Sequence, residues 1–153
     1  MSLRILVVDD HDVVRQGVRL ILRRHPDWRI CGEAESGLEA LAKEKELKPD
    51  LIILDISMPG KDGLEIANEL RSRSSAKVLV LTMHDSKELV AAVKTAGAKG
   101  YVIKSHAARD LAKAIQTIIN GGDFFMSSSL PAKPDKPEKK FPLFRLDCVP
   151  AFA

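Results

Sequence analysis

The chain has 153 residues, of which 45% are hydrophobic and 29% charged; these values are typical of one folded domain and unlike those of a disordered or fibrous chain. The formal net charge is +3, from 24 basic and 21 acidic residues. Residues 127–153 hold five of the basic and three of the acidic ones, so 19 and 18 remain in the rest of the chain. This balance argues against a module that binds nucleic acid through concentrated positive charge.

The cysteines and the apolar runs exclude other classes of protein. The two cysteines, Cys31 and Cys148, lie far apart, which argues against a disulfide scaffold or a zinc site and is compatible with a reducing compartment. No apolar run is long enough to cross a bilayer, and Met1 leads directly into a strand-like segment instead of a signal peptide. We therefore expect a soluble, cytoplasmic protein without a membrane span.

Five strand-like segments recur along the chain. Four are continuous apolar runs rich in branched side chains, at 5–8, 51–54, 78–81 and 101–103. Such runs are typical of parallel strands that are buried on both faces. A weaker candidate at 29–33 has the character of an edge strand.

Helical spacing of apolar residues follows each strand-like segment. The predicted helices cover about 13–22, 37–46, 63–71, 87–96 and 111–119. Ser36 and Ser86 are suitable N-caps, and Gly121-Gly122 is a stop signal for the last helix. Five repeats of strand then helix predict an α/β fold, namely a flavodoxin-like, doubly wound five-stranded parallel sheet of order 2-1-3-4-5 with five helices.

The composition changes after Phe125. Three serines are followed by four prolines and a dense mixture of charges, which cannot bury enough apolar surface to fold alone. The apolar residues of 141–153 have no clear period. We therefore expect a domain at 1–126 and a Pro/Lys-rich linker or tail at 127–153 without a recognisable output domain.

Three carboxylates end two of the predicted strands. Asp9 and Asp10 follow the first strand and Asp55 follows the third. In the predicted strand order, ligands bind between these two strands, at the carboxyl ends. Crowded carboxylates resist joint ionisation, and Mg²⁺ resolves this because it prefers oxygen ligands. Helix capping, for which Asp12 is well placed, explains one aspartate of this region but not two more.

Three further residues complete a candidate phosphoryl site. Ser57 lies in the loop after Asp55, where its backbone carbonyl can face a metal. Thr82 follows the fourth strand, where its hydroxyl can bond a phosphoryl oxygen. Lys104 follows the fifth strand, where its ammonium group can pair with Asp55 and offset phosphate charge. Each residue alone has an ordinary structural explanation. The prediction of a phosphoryl site therefore depends on their joint occurrence at the strand ends.

These motifs resemble the receiver domain of bacterial two-component response regulators, most closely that of LuxR/NarL-type transcriptional regulators. The resemblance covers residues 3 to about 126. The matching segments are ILVVDDH at 5–11, LDISMPGKDG at 54–63, LTMH at 81–84 and AGAKGYVIKS at 96–105.

The resemblance implies a phosphorylation-controlled switch and not a multi-substrate enzyme. Asp55 would take a phosphoryl group from the phosphohistidine of a sensor histidine kinase. Asp10, Asp55 and the Ser57 carbonyl would bind Mg²⁺, with Asp9 acting largely through water.

The resemblance also assigns residues that respond to the phosphoryl group. Lys104 and Thr82 would contact it, and Tyr101 would turn inward behind Thr82. A homodimer on phosphorylation and control of transcription are further expectations from the family.

The chain departs from the family pattern in two places. Family members often have proline after the lysine, with a cis peptide bond; here the residue is Ser105, for which cis would cost about 3–4 kcal/mol, and the isomer is left open. Nothing after Met126 has the pattern of a helical output domain, so we expect no direct DNA binding by this chain. A stand-alone receiver that acts by protein–protein interaction is an alternative.

Two other classes of protein fit less well. A phosphatase with an aspartyl nucleophile, of the haloacid-dehalogenase type, needs Asp-x-Asp after the first strand, and His11 follows Asp10 without that spacing. A flavin-binding module needs hydroxyls and glycines there, whereas the acids of this chain would repel the flavin phosphate.

Overall fold

The computed structural model describes residues 2–57, 63–83 and 86–125. Strands and helices alternate from the start of this part of the chain to its end. The strands are β1 Leu3–Val8, β2 Trp28–Ala34, β3 Leu51–Asp55, β4 Lys77–Thr82 and β5 Gly100–Ile103. The helices are α1 Asp12–Arg23, α2 Gly37–Leu47, α3 Gly63–Arg73, α4 Lys87–Thr95 and α5 Ala107–Ile119, and a 3-10 turn at Lys104–His106 precedes α5.

The five strands form one parallel sheet in the order β2-β1-β3-β4-β5. The predicted fold class is therefore confirmed, as is the position of the 29–33 segment at an edge. Val8 pairs with Leu54 at the carboxyl ends of β1 and β3, so the residues that follow these two pairing positions lie side by side. This register is what brings the first and third strand ends together.

Alternate residues of the central strands enter two separate cores. Ile5 and Val7 pack with α1 and α5, whereas Leu6 and Val8 pack with α2, α3 and α4. Both faces of the sheet are covered, which explains why the strands are continuous apolar runs instead of alternating ones. Each fully buried aliphatic side chain of these cores contributes roughly 1.5–3 kcal/mol, so the strands form a rigid support for the loops at their ends.

The helix ends agree with most of the predicted caps. The Ser36 and Ser86 hydroxyls accept hydrogen bonds from the backbone N–H groups three residues later, both at 3.1 Å. Gly121 follows α5 with a φ of +94°, the left-handed conformation that glycine adopts without strain. The predicted cap at Asp12 is wrong. His11 occupies the N-cap position without a side-chain cap, and Asp12 is the first residue of α1.

The end of the described chain covers the outer edge of β5. Phe124 forms a parallel bridge with Gly100, and its carbonyl accepts a hydrogen bond from the Tyr101 N–H at 2.8 Å. This short pairing was not predicted because a single bridging residue leaves no periodic signal. The expected tail at 127–153, the loop at 58–62 and His84 lie outside the described residues. None of the described helices is long and apolar enough to cross a membrane.

Candidate functional site

The predicted site residues lie at the carboxyl ends of neighbouring strands. Asp9 follows β1 directly, Asp55 is the last residue of β3, and Thr82 is the last residue of β4. Lys104 begins the 3-10 turn after β5. These four strands lie consecutively in the sheet, in the order β1-β3-β4-β5, and the right-handed crossovers of the α/β fold leave a crevice at this end. The topology alone therefore gathers residues that are up to ninety-five positions apart in the chain.

Lys104 joins two of the aspartates. Its ammonium nitrogen lies 3.1 Å from Asp55 Oδ2 and 2.9 Å from Asp9 Oδ2. The three side chains are almost completely buried, with 9% of Lys104, 1% of Asp9 and none of Asp55 exposed. The pairing with Asp55 was predicted, whereas the equally close pairing with Asp9 was not. Lys104 therefore bridges the first and third strands before any phosphoryl group is present.

Ser57 holds the other oxygen of the Asp55 carboxylate. Its backbone N–H and its hydroxyl both donate to Asp55 Oδ1, at 2.9 and 2.7 Å. The carboxylate is thus fixed on one side by two neutral donors and on the other by the Lys104 ammonium group. Burial by itself raises the pKa of Asp55, but these two hydrogen bonds and the charge of Lys104 outweigh it and hold the pKa below its ordinary value. Asp55 is therefore a carboxylate at neutral pH.

The carboxylates of Asp9 and Asp55 keep Lys104 charged. Burial alone lowers the pKa of its ammonium group, but the adjacent carboxylates of Asp9 and Asp55 hold that pKa above its ordinary value. A charged lysine next to an ionised aspartate is the arrangement that can receive an incoming anion. The ammonium group offsets charge on the anion, and the carboxylate remains available to react with it.

The carboxylate oxygens fit a divalent cation. Asp9 Oδ2 and Asp55 Oδ2 are buried and pair with the Lys104 ammonium group, whereas the buried Asp10 Oδ1 accepts no hydrogen bond from a described group. Ligand atoms of Asp9, Asp10, His11 and Asp55 all lie within 4.8 Å of one another. Three carboxylates against one ammonium group leave two negative charges. The cluster therefore could hold a hard dication with oxygen ligands.

Thr82 and Tyr101 are both fully buried. Thr82 ends the strand next to the one that carries Asp55, and Leu81 pairs with Asp55 across those strands. Tyr101 packs in the core between the sheet and helices α2 to α4. Since the Tyr101 side chain is already buried in this core, the inward turn implied by the family resemblance would require a different, more exposed starting conformation.

Two residues of the site escaped the sequence reasoning. The Arg15 guanidinium is buried, and it donates to the Asp9 backbone carbonyl and, at 2.9 Å, to Glu33. His11 lies beside both acids of the first strand end, with Nδ1 3.0 Å from Asp9 and 3.1 Å from Asp10. A signal for Arg15 was present, since a charged residue between Val14 and Val18 interrupts the apolar stripe of α1. His11 gave no signal except its place after two acids.

A cavity of the described chain lies at the other end of the sheet. It has a volume of about 650 Å³ and opens at the amino ends of β4 and β5, where Arg71, Lys94 and Lys99 line it. These three side chains are exposed. The cavity and the buried charges thus lie at opposite ends of the sheet. Buried charge is the better guide to chemistry, because an exposed charge is solvated at little cost whereas a buried one must be paired.

The comparisons with known proteins agree with the fold. The chain matches the model of the response regulator receiver domain over residues 5–116. The transcriptional regulatory protein YhcZ of Bacillus subtilis is 36% identical over 129 residues, which cover 84% of this chain and 59% of YhcZ. The chain thus spans little more than half the length of that relative.

Two solved structures extend the similarity to three dimensions. A two-component response regulator of the LuxR family from Aurantimonas sp. has a TM-score of 0.77 and 34% identity, covering 84% of this chain and 92% of that one. The isolated REC domain of RcsB from Salmonella enterica serovar Typhimurium, with the phosphomimetic BeF3⁻ present, has a TM-score of 0.77 and 28% identity. That match covers 82% of this chain and 94% of the RcsB domain.

Proposed function

Because the chain belongs to the response regulator receiver domain family, we propose that it is a phosphorylation-controlled switch whose acceptor is Asp55. The donor would be the phosphohistidine of a sensor histidine kinase. The observation that carries this proposal is the buried Asp55 carboxylate, ionised and held between Ser57 and Lys104. A buried charge at a strand end costs free energy of desolvation. A reactive role for the Asp55 carboxylate would explain why this cost is tolerated.

In the proposed step, a carboxylate oxygen of Asp55 attacks the phosphorus atom of the donor. An O–P bond forms as the N–P bond breaks, and the imidazole of the kinase leaves with the electron pair. The product is an acyl phosphate. Ser57 orients the carboxylate through its two hydrogen bonds, and Lys104 lies where its ammonium group offsets the charge of the transferring group.

Mg²⁺ is the cation that we propose for the cluster, held by Asp10 and Asp55 with the Ser57 carbonyl, and by Asp9 through water. When bound, it would offset negative charge on the phosphoryl oxygens. The crowding of the carboxylates supports this assignment, since ligand atoms of Asp9, Asp10 and Asp55 lie within 4.8 Å of one another. The proposed REC-type function of the site is further supported by the RcsB match, since that domain was solved with a phosphomimetic.

Thr82 and Tyr101 are proposed as the residues that carry the change to the surface. The Thr82 hydroxyl would move to form a hydrogen bond with a phosphoryl oxygen. The Tyr101 side chain would then respond to the space that Thr82 leaves, since the strands of the two residues pair with each other. Moving such a two-state equilibrium from 1:99 to 99:1 needs about 5.5 kcal/mol of differential binding. Contacts of the phosphoryl group with Thr82, Lys104 and the cation are the source that we propose.

We further propose that the switch unit is 1–126, that 127–153 is a linker or tail, and that the output is control of transcription, as in relatives such as YhcZ. A homodimer would form on phosphorylation. Direct DNA binding is not expected of this chain, because the charge of residues 1–126 is nearly balanced.

Incubation with acetyl phosphate and Mg²⁺, followed by intact mass measurement, tests the acceptor. We expect one phosphate adduct in the wild type and none in Asp55→Asn. Asp27→Asn is the matched control, since Asp27 is an exposed aspartate before β2, at the opposite end of the sheet, and we expect it to be modified like the wild type. A full-stoichiometry adduct in Asp55→Asn would refute the assignment.

A further inference from the structure

Arg15 carries a buried charge that the proposed function does not use. Its side chain is 9% exposed, and its guanidinium group donates to the backbone carbonyl of Asp9 at 2.5 Å and to the Glu33 carboxylate at 2.9 Å. A third contact, at 3.2 Å, joins it to Asp12. Because a buried charge costs free energy of desolvation, the position of this one next to the acids at the end of β1 calls for an explanation.

The attachment of α1 to β2 does not explain Arg15, because Arg19 already provides it. Arg19 lies one turn further along α1 and donates from two nitrogens to the two oxygens of the Glu33 carboxylate, at 2.6 and 2.8 Å. This bidentate geometry is the strong form of an arginine–carboxylate contact. Arg19 is 38% exposed, so it forms the pair at a lower cost of desolvation. The hydrogen bond to the Asp9 carbonyl is what distinguishes Arg15 from Arg19.

The Asp9 carbonyl belongs to the peptide that joins the two acids at the end of β1. Other polar groups of Asp9 are held as well, since its N–H donates to the Ala34 carbonyl at 3.0 Å and its Oδ2 pairs with Lys104 at 2.9 Å. Asp10 differs, because its buried Oδ1 accepts no hydrogen bond from a described group. The orientation of the Asp9–Asp10 peptide therefore directs the Asp10 carboxylate, and Arg15 fixes that peptide from the side of α1.

We propose that Arg15 is a positioning residue for the cation site. By holding the Asp9 carbonyl, it sets the direction in which Asp10 presents its carboxylate to Mg²⁺, without contacting the cation itself. This inference rests on the Mg²⁺ assignment of the proposed function. A guanidinium group suits the task better than an ammonium group, because its planar, fixed donors hold the Asp9 carbonyl and Glu33 in one geometry.

The sign of the effect on Mg²⁺ affinity separates positioning from charge. Arg15 is a cation, so its charge alone opposes the binding of a second cation nearby. If charge were its only influence, Arg15→Met would bind Mg²⁺ more tightly than the wild type. Loss of a positioning residue has the opposite sign, since removal of a group that orients a metal ligand weakens metal affinity about 10- to 100-fold.

Calorimetric titration of the full chain with Mg²⁺ tests the inference. We expect Arg15→Met to bind Mg²⁺ about 10- to 100-fold more weakly than the wild type. Arg19→Met is the matched control, because it removes the same charge and a contact with the same Glu33 but leaves the bond to the Asp9 carbonyl in place. We expect the control to bind Mg²⁺ at least as tightly as the wild type. Wild-type or tighter binding by Arg15→Met, or equal weakening in both variants, would overturn the inference.

Asp10→Asn distinguishes failure of this inference from failure of the proposed function. If Asp10→Asn weakens Mg²⁺ binding and Arg15→Met does not, only the role of Arg15 is wrong. Unchanged Mg²⁺ affinity in Asp10→Asn overturns the Mg²⁺ assignment, and the role of Arg15 with it. Should Arg15→Met fail to fold, Arg15→Lys replaces it, since lysine keeps the charge and loses the planar donors. We expect weaker Mg²⁺ binding there too, and wild-type affinity would refute the positioning role.

Discussion

The two ends of the parallel sheet both carry charge, but they accommodate it differently. At the carboxyl end, the buried ammonium group of Lys104 forms ion pairs with the buried carboxylates of Asp9 and Asp55, at 2.9 and 3.1 Å. At the amino end, Arg71 and Lys99 are exposed and line a cavity of about 650 Å³. The charges around the cavity are thus solvated, whereas those at the carboxyl end depend on one another.

The position of the basic residues at the amino end has an ordinary explanation. Lys45, Arg71 and Lys94 lie in the last turns of α2, α3 and α4, where positive charge interacts favourably with the helix dipole. No comparable explanation covers the carboxyl end, since two buried acids around one lysine are held at a cost in desolvation. Buried, crowded charge at the carboxyl end therefore calls for a functional explanation, which the exposed charge around the cavity does not.

The largest expected effect is the loss of Lys104. Lys104→Met leaves the buried carboxylates of Asp9 and Asp55 without their cation, and removal of one partner of a buried pair costs about 3–5 kcal/mol. Lys99→Met at the other end removes an exposed charge and should change the free energy of unfolding by less than about 0.5 kcal/mol. Urea denaturation without divalent cations measures both, and equal effects of the two substitutions would remove the distinction between the ends.

The pH dependence of the Lys104→Met effect sharpens the same comparison. The pKa of Asp55 is lowered in the fold, so its contribution is present above its ordinary value of about 3.9 and is lost as pH falls through the folded pKa. The pKa of Lys104 is raised, so its contribution is present below about 10.4 and is lost as pH rises through the folded pKa.

The stability difference between wild type and Lys104→Met should therefore be largest across the neutral range and shrink towards both extremes of pH. Denaturation curves at a series of pH values measure it. A difference that stayed constant into strong acid would show that lost packing, and not the ion pair, causes the effect.

A substitution at the amino end should have a smaller effect on the free energy of unfolding, and its cause should be backbone strain instead of lost charge. Gly97 has a φ of +94°, and an added Cβ would lie 1.8 Å from Arg71 Cδ. We expect Gly97→Ala to destabilise the chain by about 1–2 kcal/mol, because alanine is strained in this conformation. Gly17→Ala is the control, since no atom lies within 4 Å of its added Cβ and a helical alanine gains about 0.5–1 kcal/mol. Thermal denaturation distinguishes them, and a neutral Gly97→Ala would contradict the prediction.

Much of the fold and the site's location could be predicted from the sequence. The strands are buried on both faces, so each leaves a continuous apolar run, and their order places Asp9 and Asp55 together at one edge of the sheet. Lys104 was predicted beside Asp55 for the same reason. These inferences succeeded because backbone topology alone determines them.

The remaining features depend on side-chain direction, which sequence patterns do not specify. The second contact of Lys104, with Asp9, is of this kind, as is the buried Arg15 behind the Asp9 carbonyl. Asp12 was expected to cap α1, but it lies one residue inside the helix and pairs with Arg15 at 3.2 Å instead. The Lys104–Ser105 peptide, left open by the sequence, is trans.

The most direct test of the central claim identifies the phosphorylated residue chemically. The wild-type chain is incubated with acetyl phosphate and Mg²⁺ and treated with borohydride, which reduces an acyl phosphate to a primary alcohol, and its peptides are then sequenced by tandem mass spectrometry. We predict that Asp55 is the residue reduced, with Asp9 and Asp10 intact. Reduction at Asp9 or Asp10 with Asp55 untouched would contradict the account.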